Sequence, residues 1–484
     1  MKRLILIASA ALVFAADAKL EKIADVTLAD QQGLVNAATK IGGFISEPML
    51  AMVPMGLCAA NPAATDMGLG PARADGKFYG VSYIDGLDAS CDIMQLAMSD
   101  KVKGALLYPV SLSKADFLAE NPDAKEVDGV ISWNKMSVVF SADGKYAAIA
   151  NDAAAARMAL VDVATSPALK KDEVVSLRIF KPAMQLFVKV LESDEDTVKM
   201  SPQAIEMYKS VTKAQFSLYA GNYGIDLRGS VDCSAGSLLS KLGNKSISSA
   251  TPLAFAGKDA LMAFAYAADA LGYDYDAQWK KFISLAKKWG IKTDWISYEK
   301  KGINSKFVLD PVALAAYVKA EGKAKFDELN KKGDELKTDA MTLCKTSVEA
   351  KSPEQACAFY LKGAKVALDA QTRFNKVLPN ASKKPCAGMG VFSLYGSIKS
   401  IGEVVCPLID GKDTKEAKAF LAKLPTANNA AIAAVWTKKG PLTHTYHIRA
   451  NPAEIRGLYV FFQMMLAEYQ RKIEATAKAI EDAN

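Results

Sequence analysis

The segment KKGPLTHTYHIRANPAEI, residues 438–455, contains the signals for a turn, a strand and the start of a helix. Lys-Lys-Gly marks the turn, and the β-branched, alternating run from Thr443 to Arg449 predicts the strand. Pro452 suits the first position of a helix, because the N–H that proline lacks has no intrahelical partner there. The chain is therefore predicted to turn, form one strand and continue directly into a helix.

The same order of signals occurs at two earlier places in the chain. The prolines of the three copies lie 129 and 141 residues apart. A duplicated module of ~130 residues is one interpretation, and coincidence among common strand-to-helix turns is the other. The earlier copies are Lys170-Lys171-Asp172 with Val174 to Phe180 and Pro182, and Lys300-Lys301-Gly302 with Phe307 to Leu309 and Pro311.

Hairpins are predicted at three places. Trp295 to Tyr298 and Ala430 to Trp436 read as strands that precede the second and third copies and pair with them. Asp143-Gly144 lies between apolar runs and predicts a type I′ turn, in which both residues take positive φ. These signals predict an α+β fold of repeated strand-hairpin/helix modules with antiparallel sheets.

Helical patterns predict two further features. An αα-hairpin is expected from Lys323 to Leu378, because its apolar residues follow helical spacing and Ser352-Pro353-Glu354-Gln355 resembles a capping box. Residues 19–45 also read as one helix, ended by Gly42-Gly43. The predicted divisions are a signal peptide at 1–18, an N-terminal α+β module at 19–200, a middle α+β module at 201–321, the helical hairpin insertion at 322–380 and a C-terminal α+β module at 381–484.

The first eighteen residues have the pattern of a secretory signal peptide. Lys2 and Arg3 precede an uncharged apolar run from Leu4 to Ala16, and Ala16-Asp17-Ala18 supplies small residues for cleavage. An uncleaved anchor is the alternative, although the run is shorter than the ~20 residues of a membrane span. We therefore expect export to the periplasm or the outside of the cell, with no stable membrane span after signal cleavage.

Composition describes an ordinary folded chain. Hydrophobic residues make up 50% and charged residues 23% of the 484, which argues against disorder. The net charge of +7 comes from scattered lysines rather than from a patch of arginines with interleaved aromatic residues. Nucleic acid is therefore not expected as a partner.

Seven cysteines can become oxidised in an exported chain. No pair has the CxxC spacing of a zinc or thioredoxin-like site. Local pairing suggests disulfides Cys58–Cys91, Cys344–Cys357 and Cys386–Cys406, with Cys233 left over, and several buried free thiols are the alternative.

The candidate catalytic and metal-binding residues do not form a recognisable site. His444 and His447 are the only histidines, and on a strand residues three apart point to opposite faces, which disfavours a shared metal. There is no GxSxG or GxxxxGK[ST] motif. We assign no catalytic residue, cofactor or metal site.

Three other groups of residues have plainer explanations. An acidic cluster and an acidic–aromatic group would suit calcium or a sugar, but read better as a solvated loop and a capped helix start. Repeated Ser-x-x-Lys pairs are expected by chance in a lysine-rich chain. The residues are Glu192, Asp194, Glu195 and Asp196; Asp274, Asp276 and Trp279; and Ser111/Lys114, Ser132/Lys135, Ser210/Lys213, Ser284/Lys287 and Ser297/Lys300.

Several segments resemble a class of uncharacterised exported bacterial proteins of duplicated α+β architecture. The resemblance covers about half of the chain and implies no activity. It rests on Leu106-Leu107-Tyr108-Pro109-Val110, Phe117-Leu118-Ala119-Glu120, Asp128-Gly129-Val130, the Asp143-Gly144 turn and Ile225 to Leu239.

The expected function is a non-enzymatic binding or envelope-associated protein whose partner is an unidentified protein or small molecule. A large folded chain without an assembled catalytic motif favours this interpretation. The alternatives are a secreted hydrolase that uses carboxylates and a self-assembling structural protein.

Overall fold

The computed structural model describes residues 20–53, 68–86, 101–166, 168–193, 202–258, 260–267, 275–344, 354–364, 368–406, 412–426 and 429–481. These residues contain 14 α-helices and 17 strands, and the strand pairs are mostly antiparallel. The predicted α+β class is confirmed. The predicted signal peptide lies outside the described residues.

Internal contacts divide the chain into two compact units. Unit 1 comprises the described residues up to 193 together with 202–222 and 227–237. Unit 2 comprises residues 223–226 and the described residues from 238 onward. The division into a signal peptide and four further segments stays a prediction.

Unit 1 is built on a long antiparallel sheet. Its strands are hydrogen-bonded in the order β9, β8, β1, β2, β3, β7, β6, β5 and β4. Its elements are β1 (Leu20–Leu28), α1 (Gln31–Ile45), β2 (Phe78–Asp85), β3 (Val102–Pro109), α2 (Lys114–Glu120), β4 (Lys125–Val127), β5 (Val130–Trp133), β6 (Met136–Phe140), β7 (Tyr146–Ala150), α3 (Ala153–Thr165), β8 (Glu173–Phe180), α4 (Lys181–Ser193), α5 (Pro202–Ser210), β9 (Val211–Gly221) and most of β10 (Gly224–Cys233).

Opposite faces of this sheet bury different cores, because alternate residues of a strand point to opposite sides. On one face, α3 packs through alanines against three side chains of β2, namely Tyr79, Val81 and Tyr83. Asp152 caps α3 by accepting a hydrogen bond from the N–H of Ala155. Toward the β5–β7 end of the other face, Phe117 of α2 is fully buried in a second core.

In the described part of unit 2, strands β13 and β14 pair in parallel, and their other neighbours β12 and β11 pair with them antiparallel. Its strands pair in the order β12, β13, β14, β11, β15, β16 and β17. Its elements are α6 (Leu238–Lys241), β11 (Ala260–Ala267), α7 (Tyr275–Lys288), β12 (Ile296–Lys301), β13 (Asn304–Leu309), α8 (Pro311–Tyr317), α9 (Lys323–Asn330), α10 (Gly333–Cys344), β14 (Glu354–Leu361), α11 (Ala370–Val377), β15 (Gly388–Phe392), α12 (Leu394–Val405), α13 (Lys412–Lys423), β16 (Ile432–Lys439), β17 (Thr443–Ala450) and α14 (Pro452–Glu481).

The three turn–strand–proline–helix signals form as predicted. Each Lys-Lys dipeptide is followed by a residue in the left-handed region, with φ of 64° at Asp172, 61° at Gly302 and 75° at Gly440. The strands β8, β13 and β17 then lead into helices that begin at Lys181, Pro311 and Pro452, so that Pro182 is the second residue of its helix. This local pattern recurs three times, while the repetition of whole modules stays a prediction.

Residues 19–45 were predicted as one helix, and this prediction is wrong. Residues Leu20–Leu28 form β1, and helix α1 begins only at Gln31 after an Asp30 cap. Strand β1 pairs with both β2 and β8, and these two ladders of backbone hydrogen bonds hold Leu20–Leu28 in an extended conformation.

The predicted αα-hairpin is wrong in its second half. Helices α9 and α10 form the first half, but Glu354–Leu361 is the strand β14. Because β14 lies between β11 and β13, its alanines Ala356 and Ala358 are buried in the core of the sheet. Pairing with two distant strands, rather than the local capping-box signal, therefore decides the structure of Glu354–Leu361.

The Asp143-Gly144 hairpin is present, but its turn differs from the prediction. Of the two residues, only Gly144 has a positive φ, 68°, whereas a type I′ turn requires two. The Gly144 N–H donates to the Ser141 carbonyl at 2.9 Å, and the Asp143 carboxylate accepts from the Ser141 hydroxyl at 2.7 Å. A longer loop with one left-handed glycine joins β6 to β7.

A buried charge network joins three strands and α3 in unit 1. Asp25 of β1 is 2% exposed and accepts two hydrogen bonds of 2.7 Å from Arg178, which lies directly opposite on β8. Lys22 lies 2.6 Å from the Asp25 carboxylate and 3.2 Å from Asp162 of α3. The Tyr79 hydroxyl of β2 donates to Asp25 at 3.1 Å. Charge is balanced, so each buried ion has an oppositely charged partner.

Replacing Asp25 by Asn should destabilise the protein strongly. The change preserves the shape of the side chain but leaves Arg178 buried without its counterion, which costs about 3–5 kcal/mol of unfolding free energy. Urea unfolding followed by circular dichroism measures this loss. The matched control is Asp75→Asn, which removes a carboxylate that is 79% exposed and pairs with Arg73 at the surface.

The control should change the unfolding free energy only slightly, because an exposed ion pair contributes little to stability. A similar small change in both variants would show that the Asp25 network contributes no more than a surface pair.

Candidate functional site

An open apolar cavity of about 460 Å³ lies on the sheet face of unit 1 opposite α3. We call it the unit 1 trough. Its volume falls within the range of about 300–1,000 Å³ that is usual for small-molecule sites. It is lined by Ala24, Asp25, Val26, Gly80, Val81, Ser82, Gly104, Ala105, Leu106, Tyr108, Met136, Ile149 and Leu177.

The pairing register of the strands determines which residues form the floor of the trough. The residues Leu177, Val26, Gly80, Leu106 and Ile149 are paired across β8, β1, β2, β3 and β7. Paired residues share one face of a sheet, so these five form a single apolar row. At a strand spacing of ~4.8 Å, the row is about 19 Å long.

Two glycines make the trough deep. A Cβ placed on Gly104 would have no heavy atom within 4 Å, and one placed on Gly80 would lie 3.1 Å from Val26 Cγ1. Leu106, beside Gly80, is 39% exposed although it lies in a central strand. The missing side chains leave apolar surface open to solvent that a sheet would otherwise cover.

Few polar groups are available to a ligand in this trough. The Tyr108 hydroxyl is engaged, because it donates to the Gly70 carbonyl at 3.1 Å. The Asp25 side chain points to the opposite face of the sheet, where Arg178, Lys22 and Tyr79 engage its carboxylate. The trough therefore offers apolar contact rather than acid–base chemistry.

A second cavity of unit 1, about 270 Å³, is polar. It lies beside the start of α1, and its lining contains both lysines and acidic residues. Lys40 bonds Asp172 at 2.7 Å and the Ala220 carbonyl at 3.2 Å, so part of its polar lining is satisfied internally. The lining of this cavity therefore does not indicate a particular class of ligand.

The two histidines lie on β17, as predicted, and have different partners. His444 is fully buried, where its Nδ1 accepts from Trp436 Nε1 at 3.1 Å and its Nε2 lies 3.0 Å from the Leu239 carbonyl. His447 Nε2 lies 3.1 Å from the carboxylate of Asp226. Each histidine therefore has a separate hydrogen-bonding role.

Asp226 is the centre of a buried network in unit 2. It is fully buried and bonds Arg449 through both carboxylate oxygens, at 2.5 and 3.0 Å. The Arg449 guanidinium also lies 4.1 Å from the ring centroid of Tyr223. Because Arg449 neutralises Asp226, the Asp226–His447 pair resembles a structural ion network more than an acid–base dyad.

Sequence reasoning missed Asp25, Asp226 and their arginines. A single Asp among apolar strand residues, as in Ile23-Ala24-Asp25-Val26 and Gly224-Ile225-Asp226-Leu227, is the signal that was available. A carboxylate buried in this way requires a cationic partner. The identity of that partner depends on strand pairing across more than 150 residues.

Glu454 is a further buried carboxylate that the sequence did not reveal. It is fully buried and accepts from the Ser393 hydroxyl at 2.6 Å and the Tyr395 N–H at 2.9 Å, at the start of α12. Burial raises the pKa of Glu454. These bonds satisfy donors at the start of α12 and give Glu454 a structural role.

The other sequence candidates are not brought together. Glu192 pairs with Lys209 at 2.9 Å, while Asp194, Glu195, Asp196 and Asp274 lie outside the described residues. Asp276 pairs with Lys280 at 3.1 Å. Trp279 stacks on Tyr298 with ring centroids 5.8 Å apart. In the described parts of the chain, no three His, Cys, Asp or Glu residues are grouped to hold a metal.

The Ser-x-x-Lys pairs are engaged with other groups where the contacts are described. Lys114 bonds Glu126 at 2.8 Å. The Ser210 hydroxyl donates to the Met207 carbonyl at 2.6 Å. Lys300 lies 3.7 Å from Asp276. These contacts hold side chains at the surface and at the end of α5.

Two of the predicted disulfides are wrong. Cys233, Cys357, Cys386 and Cys406 are all free, which contradicts the Cys344–Cys357 and Cys386–Cys406 pairs. Cys357 lies in the interior strand β14, and burial raises the pKa of its thiol, and of Cys386, to about 12. Cys58 and Cys91 lie outside the described residues.

Comparison with known proteins names no function. No family model and no curated protein matches this chain. The chain is similar to a solved structure described as crystal form I of TP0453, with 12% identity over 45% of this chain and 77% of that chain, and a TM-score of 0.23. A similarity at that score supports no argument. Within the described residues, no helix combines the length and apolar character that crossing a membrane requires.

Acid should weaken the fold through His444. Burial, and then the positive charge of Lys438, lower the pKa of His444 below its ordinary value. The unfolded chain therefore takes up a proton near pH 6.5 that the folded protein does not bind. The unfolding free energy should fall as the pH drops through that value, by about 1.4 kcal/mol for each unit of lowered pKa.

Urea unfolding at a series of pH values from neutral to mildly acidic tests this expectation. His444→Gln should remove part of the acid-dependent loss, since the amide does not titrate, whereas His447→Gln should retain it. Equal acid sensitivity in both variants would contradict the assignment to His444.

Proposed function

We propose that this protein is a non-enzymatic binding protein and that the unit 1 trough binds an apolar ligand of the acyl-chain class. The observation that carries the proposal is the apolar row across β8, β1, β2, β3 and β7, left uncovered by Gly80 and Gly104. We further propose that the chain is exported, with residues 1–18 as its signal peptide.

Shape and chemistry favour a long, flexible and apolar occupant. The row is about 19 Å long by strand spacing, and its side chains are aliphatic. A ligand that buries ~300 Å² of apolar surface gains about 7 kcal/mol before the cost of association. The cost of association reduces this gain, so affinities in the micromolar range or weaker are expected.

The hydrolase alternative requires carboxylates that can reach a substrate. Asp25, Asp226 and Glu454 are nearly or fully buried and are bonded to arginine, lysine, hydroxyl or backbone groups. These contacts favour structural roles for all three carboxylates. The binding proposal is therefore the better supported of the two.

Filling the trough should weaken ligand binding without unfolding the protein. Gly104→Leu places a branched side chain into open space on a strand, where glycine is unfavourable to begin with. Fluorescence of N-phenyl-1-naphthylamine, and its displacement by palmitate, measures binding. We expect the wild-type protein to enhance the fluorescence and Gly104→Leu to weaken binding at least tenfold.

The matched control is Gly43→Leu on α1, where an added Cβ also has no heavy atom within 4 Å. This control should bind like the wild type. The proposal fails if palmitate displaces no probe from the wild-type protein, or if both variants bind equally while circular dichroism shows both to be folded.

A further inference from the structure

The carboxyl-terminal helix α14 has two apolar stripes, and only one is covered. Leu458, Phe461 and Met464 pack against a core that contains Tyr395 and Leu421. The second stripe begins at Phe462 and stays in solvent, although a soluble helix normally buries its apolar face. We call this second stripe the α14 seam.

The α14 seam consists of Phe462, Leu466, Tyr469 and Ile473, which are 58%, 62%, 65% and 51% exposed. Successive members are four, three and four residues apart. This is the a/d spacing of a coiled coil, in which a side chain of one helix inserts between four residues of another. This spacing indicates that a second helix packs on the seam.

The seam lies on a segment that has few contacts of its own. Residues 469–477 are all exposed, yet the helix continues to Glu481. A helical segment of this length is marginal in water without a packing partner. A partner that covers the seam would therefore stabilise both the apolar side chains and the helix itself.

We infer that the α14 seam pairs with the α14 seam of a second copy of this chain. Four side chains of about 200 Å² at these exposures present roughly 500 Å² per chain, or about 1,000 Å² for two copies. That area reaches the lower limit for a specific interface. A second copy also supplies an identical, self-complementary seam, which closes as a two-fold dimer.

Charge favours this occupant over a membrane surface. The segment 459–481 carries three acidic and three basic residues, so an anionic bilayer would not attract it. The positions that flank the seam are Gln463, Met465, Gln470 and Lys472. With one charge per chain among them, two copies meet without like-charge repulsion along the interface.

Sedimentation equilibrium of the purified full chain, from roughly 1 to 100 μM, tests the inference. The apparent mass of the wild type should rise toward that of a dimer with concentration. Leu466→Gln combined with Ile473→Gln should keep the monomer mass over the same range. The matched control, Ala467→Gln with Ala475→Gln, changes exposed residues of α14 outside the seam and should dimerise like the wild type.

A wild-type chain that stays monomeric throughout would overturn the inference, as would a seam variant that dimerises as well as the control. Flotation with phosphatidylcholine–phosphatidylglycerol vesicles tests the alternative occupant of the seam, a lipid surface. A monomeric wild type that floats with vesicles, while the seam variant does not, would assign the seam to lipid instead. Circular dichroism of both variants confirms that they remain folded.

Discussion

The pairing of Asp25 with Arg178 constrains the register of the sheet in unit 1. Both side chains lie on the covered face of the sheet, and without Asp25 the Arg178 guanidinium would lose its counterion. A one-residue slip of β1 against β8 would move the two charges to opposite faces of the sheet. The ion pair therefore favours the observed pairing register of these two strands. That register aligns the apolar row on the reverse face, so the geometry of the trough follows from a contact on the other side of the sheet.

The second unit contains a contact of the same kind. Asp226 on β10 accepts two hydrogen bonds from Arg449 on β17, and β17, like β8, leads directly into a helix at a proline. In both units the arginine lies three or four residues before that proline. In each unit, a strand that leads into a helix is therefore bound to a neighbouring strand by a buried, bidentate carboxylate–guanidinium interaction. The geometry of this interaction is directional, so it disfavours a shift in strand register.

Local signals predicted the elements whose side chains and turns act over short distances. The strands β8, β13 and β17 form where the turn and strand signals predict them, and the hairpins before Pro311 and Pro452 are present. Predictions failed where distant pairing decided the outcome, as at β1 and β14, because ladders from two neighbouring strands outweigh a local helical preference. The candidate site was not predictable, since its residues belong to six strands spread across about 150 residues of the chain.

The sequence by itself determined the α+β class, the three turns with a left-handed third residue and the strands that continue into helices at prolines. These features depend on steric and hydrogen-bonding preferences within a few residues of the chain. Only the tertiary structure decided which carboxylate meets which arginine, which thiols stay unpaired, and where two glycines align to open an apolar trough. Those outcomes depend on register between strands far apart in the chain, which local preferences do not encode.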